Sequence, residues 1–313
     1  MIGGLVMSNR TQLTVSPGPH VRSKESTSNI MFNVVLALLP TTLTAIYYFG
    51  SSALMLIIAC SITAVATEAL FQKLRGIPVT IGDFSALVTG LLLALTLPPE
   101  LPIWMAIVGS IIAIALGKQV FGGLGYNFFN PALVGRAFLL ASFPVAMTTW
   151  KLIDVTSSAT PLGADNPTAI ALKDLFLGRV GGSLGETSAV AIILGGLYLL
   201  YKGYIDWRVP AGYLGTVAVL TTFVGKGGPI FHLLAGGLML GAFFMATDMV
   251  TTPVTKKGRW IFGIGCGILL VIIRVYGGLP EGVLYSILLM NMFVPIIDKY
   301  TLPRAFGEVK ING

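Results

Sequence analysis

Three groups of residues in this chain have types and spacings that bear on chemistry. The first is the hydroxyl run Asp154-Val-Thr-Ser-Ser-Ala-Thr160, followed by Pro161-Leu162-Gly163. Taken as residues alone it reads as a turn, because Asp, Ser and Thr side chains bond back to their own backbone. The second is the glycine- and aromatic-rich stretch 117–138. Its Asn130-Pro131 pair is a good helix start: asparagine caps free N–H groups and proline fits the first helical position. Gly122 and Gly123 allow close backbone approach, so a loop that carries Asn127 and ends at a helix N-terminus suits a planar ring or an anion. The third group is the set of charges Glu68, Asp83, Arg136, Asp248 and Arg274, in or beside apolar runs. A bare charge there costs about 2.5–3.5 kcal/mol or more, so each needs a partner or a task. Histidines occur only at His20 and His232, and no Ser/His/Asp or Cys/His set forms; no residue is assigned a catalytic role.

These residues must be positioned inside a bilayer. The chain has 313 residues, 55% of them apolar and only 11% charged, against roughly 25% charged in a soluble domain. Apolar runs fall at 30–49, 52–71, 82–97, 102–120, 131–146, 187–201, 209–224, 229–247, 259–276 and 281–297. About 17–20 such residues cross a hydrocarbon core roughly 30 Å thick. Long continuous runs point to helices rather than barrel strands, so the expected fold is an all-α polytopic membrane protein of ten transmembrane helices. Residues 1–29 are too polar, and too long before the first run, for a cleaved signal peptide; they read as an arm. Cys60 and Cys266 lie within runs, with no CxxC, and are expected as small buried apolar residues.

Basic residues set the expected orientation. With the N-terminus cytoplasmic and every run crossing, Arg10, Arg22, Lys24, Lys73, Arg75, Lys118, Lys202, Arg208, Lys256, Lys257, Arg259, Lys299, Arg304 and Lys310 are all cytoplasmic. Only Lys151, Lys173, Arg179 and Lys226 fall outside. This positive-inside bias accounts for the net charge of +7 without a nucleic-acid partner. The chain then divides into a cytoplasmic arm (1–29), a first five-helix unit (30–146), an outer-face loop carrying Thr160 (147–186), a second five-helix unit (187–297) and a cytoplasmic tail (298–313).

Five runs per unit make any internal repeat an inverted one. Thr89-Gly90 to Pro98 in the third run has a partner in Gly236-Gly237 to Pro253, and Gly122-Gly123 answers Gly277-Gly278. Matching Gly/Pro-interrupted spans in two halves are a transporter pattern, with the site at the repeat interface. Glycine also serves plain helix packing. Asp83 and Asp248 occupy related places in the two halves. The oxygen-rich break around Asp248, Thr251 and Thr252 is a candidate Na⁺ or H⁺ site, and equally a helix cap.

Residues 117–138 together with Ser157-Ser-Ala-Thr-Pro-Leu162 resemble the family that contains the D subunit of the Rnf complex, an ion-pumping ferredoxin:NAD oxidoreductase. The same family holds the B subunit of the sodium-pumping NADH:quinone oxidoreductase. The likeness runs from Ser16-Pro-Gly-Pro-His20 to Pro295, and the compact length favours the Rnf side. The resemblance implies a redox subunit of a bacterial or archaeal cell membrane, with FMN esterified to Thr160 by a flavin transferase that reads Asp154, Ser157, Ser158 and Ala159. Ser158 stands where the family pattern has glycine. The resemblance also implies a five-plus-five fold like that of the urea and ammonium transporters, a second, noncovalent flavin (riboflavin), and partners that include an outer-face FMN subunit and iron–sulfur subunits. Within that reading Gly122, Gly123, Asn127 and Asn130 line a flavin site, and Arg136 favours its reduced form. Electrons would pass through this chain while the complex moves Na⁺ or H⁺ outward. The competing readings are the quinone-reductase subunit and a channel or secondary transporter for a small polar solute.

Overall fold

A computed structural model describes residues 25–150, 162, 172–178, 181–186, 188–224, 227–277 and 281–303. The run Asp154–Thr160, most of the arm and most of the tail lie outside the described residues. Every apolar run named above forms a helix, and the described residues contain no strand. In the first half these are α1 (Thr27–Phe49), α2 (Ser51–Leu74), α3 (Ser85–Leu95), α4 (Ile103–Ile114), α5 (Pro131–Ser142) and the short α6 (Pro144–Thr148). In the connection lies α7 (Leu172–Leu177); α8 (Ala189–Lys202), α9 (Arg208–Val224), α10 (Gly228–Leu234), α11 (Leu238–Leu240), α12 (Lys256–Tyr276) and α13 (Val283–Thr301) follow.

Four helices, α1, α2, α12 and α13, are long and apolar enough to cross a membrane, and α10 with α11 makes a fifth such element bent by 68°. This is the architecture of a polytopic membrane protein. The run 229–247, expected as one span, instead breaks at Ala235-Gly236-Gly237, where Gly236 has φ 74°. The run 131–146 likewise breaks at Phe143 before Pro144, whose ring cannot continue a helix from within.

Helix starts follow the side chains that cap them. Ser26 accepts from Asn29 N, Asn130 from Ala132 N and Leu133 N, Ser188 from Ala191 N, and Thr255 from Gly258 N. Helices pack through glycine. A Cβ on Gly135 would lie 2.7 Å from the Gly109 carbonyl where α5 crosses α4, and one on Gly263 would lie 2.7 Å from the Val209 carbonyl where α12 crosses α9. In a bilayer such close backbone approach supplies the association that the hydrophobic effect does not. α2 also packs on α3 and α4, α12 on α13, and α1 on α8. The core they enclose includes Leu38, Leu93, Leu95, Leu133, Leu139, Tyr213 and Phe262. Cys60 and Cys266 are free thiols buried within it, as their setting implied.

Two features had no sequence signal. α4 continues as a π-helical turn, Ala115–Gln119, and α11 continues as another, Gly241–Met245. Single π turns insert one extra residue and re-aim side chains, and they gather at functional sites. The second is the end of the connecting loop. Residues 181–186 are buried rather than draped over an outer face. The Leu184 amide donates to the Leu97 carbonyl at 3.1 Å, and a Cβ on Gly185 would meet the Leu95 carbonyl at 2.9 Å.

Candidate functional site

Polar groups gather around a cleft at the ends of α3 and α5 and the π turn that follows α11. Its cavity volume is about 80 Å³, below the roughly 300–1,000 Å³ of small-molecule sites. Val88, Leu92, Leu124, Phe243 and Phe244 give it apolar walls. Ser85, Thr89, Lys118, Asn127, Asn130, Thr247 and Asp248 converge on it as polar groups.

Each polar group is placed by a local cause. Asn130 caps α5 with its Oδ1, while its Nδ2 donates to the Met245 carbonyl at 3.3 Å, on the second π turn. In the orientation that satisfies its amide, Asn291 of α13 accepts from the Asn130 N–H at 3.2 Å and donates to the Thr251 carbonyl at 3.3 Å. Asn127 donates to the Phe129 carbonyl at 3.1 Å. Gly122 and Gly123 do not line the cleft; with φ of 127° and 102° they turn the chain between α4 and the Asn127 loop. Asp248 does line the cleft, and its carboxylate accepts from Val250 N and Thr251 Oγ1, at 3.4 and 3.2 Å. Asp83 does the same for Ser85, accepting from N at 2.8 Å and Oγ at 2.6 Å. Both aspartates therefore organise turns. Among the described residues no group of three or more His, Cys, Asp or Glu side chains could hold a metal ion.

Beneath the cleft lies a buried ion pair. Lys118, on the first π turn, sits 2.7 Å from Glu68 of α2, with side chains 2% and 1% exposed. Lys118 also donates to Ser85 Oγ at 2.5 Å, and Gln119 donates to Glu68 at 2.9 Å. By the positive-inside count Lys118 is a cytoplasmic charge. Its side chain lies buried on the π turn, where Glu68, whose own place inside a run demanded a partner, receives it.

A second charged cluster lies at the break between α10 and α11. Arg136, 4% exposed, lies outside the cleft and forms an ion pair with Glu281, just before α13. Arg274 of α12 donates to three carbonyls, His232 at 2.7 Å, Ala235 at 3.1 Å and Glu281 at 3.3 Å. Two of these belong to the end of α10, where helix carbonyls lack partners of their own. Glu186, 8% exposed, approaches the same break. Sequence reasoning did not single out Glu186 or Glu281. The available signal was an acidic residue directly before an apolar run (Glu186) or opening one (Glu281), in a chain where Arg136 and Arg274 stood in spans without partners.

The connection that carries Thr160 touches this cluster. Leu162 packs with Leu175, Phe231, Leu234 and Ala235. A Cβ on Gly236 would lie 2.8 Å from Leu162 Cδ1 and 3.3 Å from Arg274 Nη2. Thr160 precedes Leu162 by two residues in the sequence. Asp154, Ser157, Ser158, Ala159 and Thr160 themselves lie outside the described residues.

On the cytoplasmic side by the charge count, Asp206 joins the α8–α9 connection to α12. It accepts from Arg208 N and Nη1, each at 2.9 Å, and from Arg259 Nη1 at 2.6 Å. Burial pushes the Asp206 carboxyl up, but these bonds outweigh it and hold the carboxyl below its ordinary range.

A profile of the NQR2, RnfD, RnfE family matches residues 14–307. The D subunit of the Na⁺-translocating ferredoxin:NAD⁺ oxidoreductase complex of Acetobacterium woodii is 52% identical, covering 97% of this chain and 98% of that protein. Its counterpart in the proton-translocating ferredoxin:NAD⁺ oxidoreductase complex of Clostridium ljungdahlii is 50% identical, over 94% and 96%. The corresponding protein of the ion-translocating oxidoreductase complex of Stutzerimonas stutzeri is 44% identical, over 91% and 93%. The chain belongs to the NQR2, RnfD, RnfE family.

Proposed function

We propose that this chain is the flavin-carrying membrane subunit of an Rnf-type ferredoxin:NAD⁺ oxidoreductase complex that moves Na⁺ or H⁺ across the cell membrane. The family match and the relatives' names support the complex. The flavin assignment rests on the likeness of Ser157-Ser-Ala-Thr-Pro-Leu162 to the family's attachment sequence, whose last residue, Leu162, packs at Gly236.

In this reading FMN is held as a phosphoester on Thr160 Oγ1, attached by a separate transferase, and a bound flavin supplies one- or two-electron carriage. The chain's own residues do the positioning. Leu162 anchors the loop against Phe231 and Ala235, and Arg274 holds the end of α10 together beneath it. In the same reading a second, noncovalent flavin such as riboflavin belongs at the cleft, which must widen from its present volume of about 80 Å³ to admit the ring. Its apolar walls match a ring system, and Asn127 and Asn130 offer amide edges at its polar end. With only two cysteines, this chain cannot supply the four thiolates of an iron–sulfur cluster, so ferredoxin and NAD⁺ meet other subunits.

We also read the ten apolar helices as ten spans in two inverted units, with both termini cytoplasmic and 147–186 on the outer face. The helix contacts support this: α2 packs on α4 and α4 on α5, as α9 packs on α12 and α12 on α13. The broken α10–α11 element then corresponds to α3 with its break at Thr96–Pro98.

The test is flavin fluorescence of the denatured chain on a gel after coexpression with the transferase. Fluorescence in the wild type that disappears in Thr160→Ala supports the assignment. Fluorescence that persists in the variant, or is absent from the wild type, overturns it.

A further inference from the structure

The cluster at the α10–α11 break holds two guanidinium groups and two carboxyls, but its hydrogen bonds are shared unevenly. Arg136 bonds one oxygen of Glu281, and Arg274 directs its donors to three backbone carbonyls rather than to a carboxylate. Two carboxyls, Glu186 and Glu281, therefore have one guanidinium between them for hydrogen bonding.

Their remaining inward oxygens border the same space beside Gly237. Glu281 Oε1 and Glu186 Oε1 lie 3.2 and 3.4 Å from the point where a Cβ on Gly237 would stand. Both oxygens are buried and have no hydrogen-bond partner among the described residues; of the cluster's donors, Arg136 Nε and Ser183 Oγ, 1% exposed, have none either and do not reach them. Glu186 is itself 8% exposed, and Gly237 supplies no side chain to fill the space its oxygen faces. A buried charged oxygen left bare is costly, and two carboxylates sharing such a space do not both stay ionised. Oxygen-ligated metal ions draw on about six ligands, more than these side chains provide.

We propose that Glu186 and Glu281 form a proton site, one proton being held between their inward oxygens at the break between α10 and α11. The groups around it are Arg136 from α5, Arg274 from α12 and His232 from α10, whose ring stands edge-on to Phe231 at 5.5 Å. A proton makes one carboxyl a donor to the other, so that both oxygens gain a partner. The Arg136–Glu281 pair is left intact. The site does not depend on the flavin assignment.

The test is infrared spectroscopy of the purified full-length chain in lipid nanodiscs at neutral pH, with exchange into D₂O. The wild type is expected to show a carboxylic-acid C=O band, shifted in D₂O, that is lost in Glu186→Gln and in Glu281→Gln. Raising Na⁺ at constant pH should leave the band unchanged. Absence of the band from the wild type, its full retention in both variants, or its displacement by Na⁺ would each overturn the proposal. If a glutamine variant does not fold, Glu186→Asp and Glu281→Asp, each expected to shift the band rather than leave it unchanged, decide the matter; a band unmoved in both overturns the proposal. Thermal melts identify a variant that does not fold, and the isosteric Glu186→Gln variant is expected to melt no lower than the wild type.

Discussion

Lys118 and Glu68 lie fifty positions apart in the chain, yet their side chains meet at 2.7 Å with almost no exposure to solvent. Lys118 stands on the π turn that continues α4, and that turn packs on α2. Removing one partner leaves the other charged and bare in a low-dielectric interior. Lys118→Met and Glu68→Leu should each cost about 3–5 kcal/mol. The double variant should cost much less than their sum, because no unpaired charge remains. Thermal melts of the four proteins in one detergent read this out, and additive losses would show that the pair acts as two independent contacts.

Gly236 is where the loop from Thr160 meets the bundle. Its φ is 74°, and a Cβ there would stand 2.8 Å from Leu162 and 3.3 Å from Arg274. Gly236→Ala should therefore cost about 1–2 kcal/mol from backbone strain alone. It should also lower the yield of covalent flavin, because Leu162 must move. The ratio of in-gel fluorescence to protein measures this against Gly203→Ala, where φ is 73° but no atom lies within 4 Å. Equal flavin yields in the two variants would separate the attachment loop from the α10–α11 break.

The Asp206 network has a pH signature whose sign is set by its lowered pKa. A carboxyl whose folded pKa lies below its unfolded value, roughly 3.9, adds stability above that value and loses it as pH falls through the folded pKa. Asp206→Asn should lower stability at neutral pH by about 0.5–1 kcal/mol, the scale of a partly exposed ion pair. The difference from the wild type should shrink as pH drops below about 4. A difference independent of pH would mean that Asp206 acts through packing rather than charge.

The sequence made the helices legible, and with them the cap at Asn130, because apolar period and capping chemistry are local. It also marked Asp83 and Asp248 as related, and both organise turns with a following residue. The partners of the buried charges were not legible. Glu68 with Lys118, and Arg136 with Glu281, are joined by packing across 50 and 145 positions. The two π turns left no trace either, since one inserted residue disturbs the apolar period less than an ordinary helix end does. The broken run at Gly236-Gly237 showed its glycines but not the 68° bend, which depends on Arg274 reaching the end of α10.

Asn130 combines a structural and a binding role that two substitutions can separate. Its Oδ1 caps α5, and its Nδ2 reaches the Met245 carbonyl beside the cleft. Asn130→Ala removes both functions and should cost about 1 kcal/mol for the cap, besides the bond to Met245. Asn130→Asp keeps a capping oxygen but loses the amide donor and places a negative charge at the cleft. If the cleft holds a noncovalent flavin, both variants should release less of it on denaturation than the wild type does. Asn130→Asp should do so with the smaller loss of melting temperature. Flavin release and melting temperature that fall together in both variants would reduce Asn130 to a helix cap. Unchanged flavin release in Asn130→Asp would move the noncovalent site away from this end of the cleft.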